Sequence, residues 1–357
     1  MKRWETKQIL VGSVPLGGQN RCILQSMTNI PAKDVEASVA QILELEERGC
    51  EIIRTAVLDE EDARAIRAIK EHIHIPIVAD IHFNYKLALL SVEAGADAIR
   101  INPGNIGDRS HTEAVVNACR EHHIPIRIGI NGGSLEKPLL EKYGGICAEA
   151  MIESAHRHVD ILEELGFYDI CLSFKSSDVG LTVAAYRAAA EEFPYPLHLG
   201  VTEAGGFTGS AVKSSAALGI LLNEGIGDTI RISVSGPPKD ELIIGKQLLK
   251  CFGLIRNVPD LIACPTCGRI QYDMLPLVKK VEDYLASLQE DITVAVMGCP
   301  VNGIQEAGRA DVGIAGGHDA GILFRRGVLV RTVPQDELFE ALTAEIEDFL
   351  KEQKQNA

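Results

Sequence analysis

Residues 77–102 read Ile77-Val78-Ala79-Asp80-Ile81-His82-Phe83-Asn84-Tyr85-Lys86-Leu87-Ala88-Leu89-Leu90-Ser91-Val92-Glu93-Ala94-Gly95-Ala96-Asp97-Ala98-Ile99-Arg100-Ile101-Asn102. A short apolar run is followed by nine residues of helical apolar spacing, a glycine, and a second apolar run. Gly95 falls where a helix end wants a left-handed residue. Pro76 stands just before the first strand, where its missing N–H does least harm. The stretch is a strand–helix–strand unit, the building block of a parallel sheet.

The same unit recurs on both sides. Strands are predicted over residues 23–26, 52–55, 77–80, 98–102, 126–130, 170–175, 197–202 and 229–233. Helices are predicted over 34–48, 59–70, 85–93, 109–122, 148–165, 178–192, 208–223 and 239–251. Eight such units predict an α/β fold, a (β/α)8 TIM-type barrel over residues 1–251. A doubly wound sheet would ordinarily carry a Gly-rich phosphate loop after an early strand, and none is present. The segment with Gly12 and Gly17-Gly18 is expected to form a small hairpin closing the barrel bottom. A linker is expected over 252–260, then a small α+β domain over 261–357.

The chain has 357 residues and a net charge of −15, which argues against a duplex nucleic-acid partner, since counterion release needs a basic face. Any anionic ligand must therefore be held by locally placed cations. The start, Met1-Lys2-Arg3-Trp4, leads into no apolar segment, and no run is long enough to span a bilayer. A cytoplasmic location and no membrane partner are expected. Nine cysteines in such a chain read as free thiols or ligands rather than disulfides.

In a barrel of this kind chemistry sits at the C-terminal strand ends. Those positions hold Gln25 and Ser26, Arg54, Asp80 and His82, Arg100 and Asn102, Arg127 and Asn131, Lys175, Thr202 and Glu203, and Arg231 and Ser233. Arg54, Arg100, Arg127, Lys175 and Arg231 are cations, against only Asp80 and Glu203, so pairing cannot balance the set. A phosphate- or diphosphate-bearing substrate accounts for the excess, because guanidinium forks suit phosphate oxygens. Asn102, Asn131 and Ser233 can add neutral hydrogen bonds. Glu203 reads equally as a proton shuttle or as a carboxylate orienting Lys175 or an arginine. His82 and His198 read as structural before they read as ligand contacts.

In the second domain, Cys264-Pro265-Thr266-Cys267 and Gly298-Cys299-Pro300 each lie on a turn between a strand-like and a helix-like run. Thiolates on such turns can converge on a metal or an iron–sulfur cluster. Structural zinc would ordinarily show a second C-x2-C or a spaced histidine, and neither is present. The alternative it represents is a zinc-stabilised TIM-barrel enzyme, a phosphate- or pterin-binding transferase. Three cysteines leave a fourth position that Glu306, water or substrate could fill. The last barrel helix runs from mouth to bottom, so a nine-residue linker reaching at most about 30 Å would be nearly consumed in returning to its own mouth. Delivery of the cluster to a partner subunit's barrel, in a head-to-tail dimer, is the easier path.

With these features assembled, the chain resembles the 4-hydroxy-3-methylbut-2-enyl diphosphate synthase family in its two-domain bacterial form. Gln25-Ser26-Met27-Thr28-Asn29, Arg100-Ile101-Asn102-Pro103-Gly104-Asn105, Thr202-Glu203-Ala204-Gly205 and both cysteine motifs carry the resemblance, which spans essentially the whole chain. It implies a [4Fe–4S] cluster on Cys264, Cys267, Cys299 and Glu306. It implies two-electron reductive opening of 2-C-methyl-D-erythritol 2,4-cyclodiphosphate, with ferredoxin or flavodoxin as donor. It further implies Glu203 as proton donor, Arg54, Asp80, Arg100, Asn102, Arg127, Asn131, Lys175, Arg231 and Ser233 around the substrate, and a homodimer.

Overall fold

The computed structural model describes residues 3–102, 105–299 and 307–356. The chain divides into two compact units, Met1–Leu254 and Ile255–Ala357.

The first unit opens with a hairpin of β1 (Ile9–Val11) and β2 (Val14–Leu16). Barrel strands β3 (Ile23–Met27), β4 (Ile52–Ala56), β5 (Ile77–Asp80) and β6 (Ala98–Ile101) follow. Next come β7 (Ile126–Asn131), β8 (Ile170–Lys175), β9 (His198–Leu199) and β10 (Thr229–Ile230). Their order in the parallel sheet is β8-β7-β6-β5-β4-β3-β10-β9, and a bridge from Leu172 to Leu197 joins its two ends into a barrel. The (β/α)8 fold is therefore as the periodicity predicts.

The helices alternate with these strands: α1 (Val35–Glu47), α2 (Glu60–Lys70), α3 (Tyr85–Glu93) and α4 (Arg109–Glu121). After β7 come α5 (Lys137–Tyr143) and α6 (Ala148–Glu164), then α7 (Val179–Glu192), α8 (Phe207–Asn223) and α9 (Pro238–Cys251). Asp34, Asp59, Asp108 and Asp178 cap α1, α2, α4 and α7 by accepting first-turn N–H groups, which otherwise lack partners. Gly95 leaves α3 at φ 93°, a conformation that disfavours a Cβ. The short α5, with Pro138 in its first turn, adds to the β7–α6 loop a helix that apolar spacing does not reveal.

Ile9, Val11 and Leu16 of the hairpin pack with Ile23, Ile52, Val78, Ala98 and Cys171. Ile23, Ile52 and Ala98 begin their strands, so the hairpin plugs the N-terminal end of the barrel. Only the C-terminal end is left for a ligand.

The second unit is a five-stranded sheet of order β11-β12-β13-β14-β15: β11 (Asp260–Ala263), β12 (Thr293–Met297), β13 (Val312–Ala315), β14 (Ala320–Arg325) and β15 (Val328–Pro334). The first three strands are parallel and the last three antiparallel. Helices α10 (Leu275–Leu285) and α11 (Leu338–Asn356) bury Val281, Leu285, Leu342 and Ile346 against Val294, Val296, Val312 and Ile314. The short helix expected after Cys299 lies outside the described residues. No helix among them is long and apolar enough to cross a membrane.

Candidate functional site

Strand alternation turns every second residue inward. In most barrels these interior layers are branched apolar side chains. Here the layer above the hairpin plug is polar, with Gln25, Arg54, Asp80, Arg100, Arg127 and His198 all buried.

Arg54 and Arg100 share Asp80, with Nε of Arg54 3.5 Å from one carboxylate oxygen and Nη1 of Arg100 3.1 Å from the other. Burial opposes ionisation of Asp80, but Arg54 and Arg100 outweigh it and hold the carboxyl below its usual range. The arrangement makes Asp80 the counter-charge and clamp of two arginines. Burial pulls Arg54 down to about 9, Asp80 opposes this, and Arg127, Arg231 and Arg100 add to the fall. Its Nε and Nη2 also lie 3.2 and 3.0 Å from the Met27 sulfur.

The charge balance expected from strand ends requires correction. Glu241, on the first turn of α9, is buried and takes Arg231 at two points, and it accepts from Ser26 Oγ at 2.8 Å. A strand-end reading does not see a carboxylate delivered by the following helix. Glu203, counted in the balance above, is instead exposed and held at φ 53°. Among the described residues, five cations thus face two buried carboxylates, Asp80 and Glu241. The excess of positive charge survives, on a different pair of anions.

Arg127 also sits elsewhere than expected. It is the second residue of β7, four before Asn131, and so lies mid-barrel rather than at the strand end. Its Nη1 donates to Gln25 Oε1 at 3.0 Å, while its buried Nη2 has no partner among the described residues. Burial lowers its pKa. Lys175 ends β8 beside Asn131, in register with it. It is 7% exposed. Desolvation first, then Arg54, Arg231, Arg127 and Arg100, push its ammonium well below the ordinary lysine range. Such a set costs folding energy unless an anion joins it.

Ser233 receives Arg231 Nη1 at 3.4 Å on its hydroxyl, and its carbonyl accepts from Ser210 Oγ at 2.7 Å. Asn102 follows β6 and its carbonyl accepts from Asn105 N–H. His82 is exposed, 3.5 Å from Arg100 Nη1. His198 is fully buried, with neither ring nitrogen partnered among the described residues. Desolvation and the surrounding cations keep its imidazole neutral. Neither Glu241 nor His198 could be placed from spacing alone.

In the second unit β11 and β12 run parallel with Ala263 opposite Val296, so Cys264 and Cys299 emerge from neighbouring C-terminal strand ends. Gly298 N–H donates to the Cys264 sulfur at 3.1 Å. A Cβ on Gly298 would stand 2.9 Å from Ile270 Cγ1 and 3.4 Å from that sulfur, so only glycine lets the two turns approach. Cys264 and Cys299 are half-buried and Cys267 is exposed. Three thiols from two adjacent turns, one already accepting a backbone N–H, are a donor set that fits an iron–sulfur cluster. Among the described residues no set of three such side chains is drawn tightly enough to hold a metal ion, and Glu306 lies outside those residues.

A family model described as the GcpE TIM-barrel domain matches residues 6–246, and one described as the GcpE protein C-terminal domain matches residues 260–348. A relative from Bacillus anthracis, named 4-hydroxy-3-methylbut-2-en-1-yl diphosphate synthase (flavodoxin), is 54% identical over 345 residues, 97% of this chain and 94% of its own. One of the same name from Bacillus cereus (strain B4264) is 54% identical, over 97% of this chain and 93% of its own. Among solved structures, the HPPK-DHPS of Plasmodium falciparum is similar at a TM-score of 0.50 and 11% identity, over 78% of this chain and 54% of that one. That last likeness is one of barrel fold alone.

Proposed function

The chain belongs to the GcpE family, and from that premise we propose how its barrel mouth and its thiol turns divide one reaction between them. The protein is an enzyme, an oxidoreductase that makes 4-hydroxy-3-methylbut-2-enyl diphosphate by reductive ring opening and dehydration of 2-C-methyl-D-erythritol 2,4-cyclodiphosphate. Two electrons and two protons enter, a ring C–O bond breaks, and water leaves.

The observation that carries the site assignment is the uncompensated cation set: Lys175 with its depressed ammonium and Arg127 with an unpartnered Nη2, both buried. A cyclic diphosphate supplies the missing negative charge. In this reading Arg54, Arg100, Arg127, Lys175 and Arg231 hold its phosphates, with Asn102, Asn131 and Ser233 adding hydrogen bonds. Asp80 orients Arg54 and Arg100. Glu203 protonates the departing hydroxyl. Its left-handed backbone costs about 1 kcal/mol or more, and strain of that kind collects at functional positions.

Cys264, Cys267 and Cys299, with Glu306 as the fourth ligand, would hold a [4Fe–4S] cluster. When bound it supplies single electrons and a Lewis-acidic iron, and a carboxylate ligand is displaced more readily than a thiolate. The electrons come from flavodoxin or ferredoxin. A homodimer, in which one copy's second unit serves the other's barrel, is supported by the short reach of the 252–260 linker. A cytoplasmic location belongs to the same reading. Anaerobic turnover of the cyclodiphosphate with an artificial reductant tests the whole, run beside Glu306→Ala. A colourless preparation holding stoichiometric zinc and inactive with the reductant would sink it.

A further inference from the structure

The strand ladder of the barrel is interrupted where the sheet closes. Between β8 and β9, Leu172 N–H donates to Pro196 O at 2.9 Å, and further on Thr202 N–H donates to Ser176 O at 3.1 Å. The alternation of a parallel ladder would place Phe174 N–H on His198 O between these two. Instead Phe174 N–H donates to the Tyr186 hydroxyl at 3.1 Å, and that hydroxyl donates to His198 O at 2.6 Å. Tyr186 reaches the seam from α7, fully buried, with its ring edge-on to Phe174 at 5.7 Å.

Two hydrogen bonds in series replace one, so the strands stand further apart here than the ~4.8 Å of a paired ladder. Lys175 is the next residue along β8, and its side chain lies over Gly200. A Cβ on Gly200 would be 3.2 Å from both Cε and Nζ of Lys175, and 3.0 Å from Arg231 O. A widened seam and a missing Cβ therefore coincide along the route this side chain takes.

We propose that Tyr186 is a positioning residue for the barrel mouth: its hydroxyl, standing in the β8–β9 seam, sets the spread that lets Lys175 cross Gly200 and present its ammonium to the anionic part of the substrate. The proposal rests on the diphosphate reading of the mouth. Tyr186 itself touches no substrate. Its hydroxyl is fully used by the two strand backbones, and its effect passes through Lys175.

The test is calorimetric binding of inorganic pyrophosphate to the full-length, cluster-loaded protein as wild type, Tyr186→Phe, Lys175→Ala and the double variant. Phenylalanine keeps the ring packing and lets Phe174 N–H close directly on His198 O. Tyr186→Phe is expected to weaken pyrophosphate about tenfold when Lys175 is present, the scale of one charge-assisted hydrogen bond, and to have no effect in the Lys175→Ala background. Tyr195→Phe removes a tyrosine hydroxyl bonded to Glu163 instead, and is expected to leave binding unchanged. Additive losses, or a Tyr186→Phe protein that melts lower yet binds as wild type, would overturn the proposal. Should Tyr186→Phe not fold, Gly200→Ala presses on Lys175 from the facing strand; the same coupling supports the proposal and additivity overturns it. A wild type that binds no pyrophosphate removes the diphosphate reading first, and this inference with it.

Discussion

Arg231 and Glu241 meet as a two-point ion pair across the last strand–helix turn of the barrel, Nη2 to Oε1 at 2.5 Å and Nε to Oε2 at 3.1 Å. Glu241 is buried, and its second oxygen also takes the Ser26 hydroxyl. The last barrel strand is thereby tied to the first, and Glu241 offsets one positive charge of the mouth as Asp80 offsets another. The remaining excess is left for the ligand.

Glu241→Gln preserves the shape and removes the charge. Breaking one side of a buried pair leaves the other uncompensated, so the ligand-free protein is expected to lose about 3 kcal/mol in denaturant unfolding. Pyrophosphate should stabilise this variant more than wild type, because Arg231, left without its carboxylate, raises the folded state's affinity for an anion.

Lys175→Met is expected to separate stability from function. The substitution removes a desolvated ammonium from among Arg54, Arg231, Arg127 and Arg100. The melting temperature of the ligand-free protein should rise, while kcat/KM falls at least a hundredfold, about 2.7 kcal/mol. A lower melting temperature would contradict the charge excess.

Arg54→Ala and Arg127→Ala are each expected to lower kcat/KM about a hundredfold, at ~2–3 kcal/mol per charge-assisted contact. Arg127→Lys should not restore it, since one ammonium cannot hold Gln25 and a phosphate oxygen as the guanidinium fork does. Steady-state kinetics under anaerobic conditions measure both.

Binding should take up protons. Lys175 has a folded pKa well below its ordinary value, and a bound anion raises it again. Affinity is thus fully present below the ligand-free pKa and weakens as pH rises through it. The ligand-free fold behaves oppositely, gaining stability over the same rise, because the unfolded chain there holds more protons. Pyrophosphate titrations in buffers of different ionisation enthalpy should show net uptake; proton release would contradict the assignment.

Cys299→Ser and Cys267→Ala are expected to lower iron content and visible absorbance with little change in far-ultraviolet circular dichroism. The sheet and its two helices keep their own core of Val294, Val296, Ile314, Leu342 and Ile346. Loss of helical signal together with iron would show that the thiols fold the unit rather than serve it.

The amino-acid order by itself determined the barrel, because apolar runs at period two alternate with runs at period 3.6, and glycine and proline mark the joints. It equally determined that cations line one end and thiols the turns of a second unit, since residue type and strand position suffice for both. Tertiary structure decided how those charges are balanced. Glu241 reaches Arg231 from the following helix, and Arg127, read as a strand end, lies four residues below it. Side-chain reach and the stagger of a closed sheet are three-dimensional quantities, and no spacing along the chain encodes them. The same holds for Tyr186, a tyrosine on an amphipathic helix until the fold places its hydroxyl between Phe174 and His198. Strand-to-strand hydrogen bonds are paired by closure of the barrel, and only closure shows where a side-chain hydroxyl interrupts them.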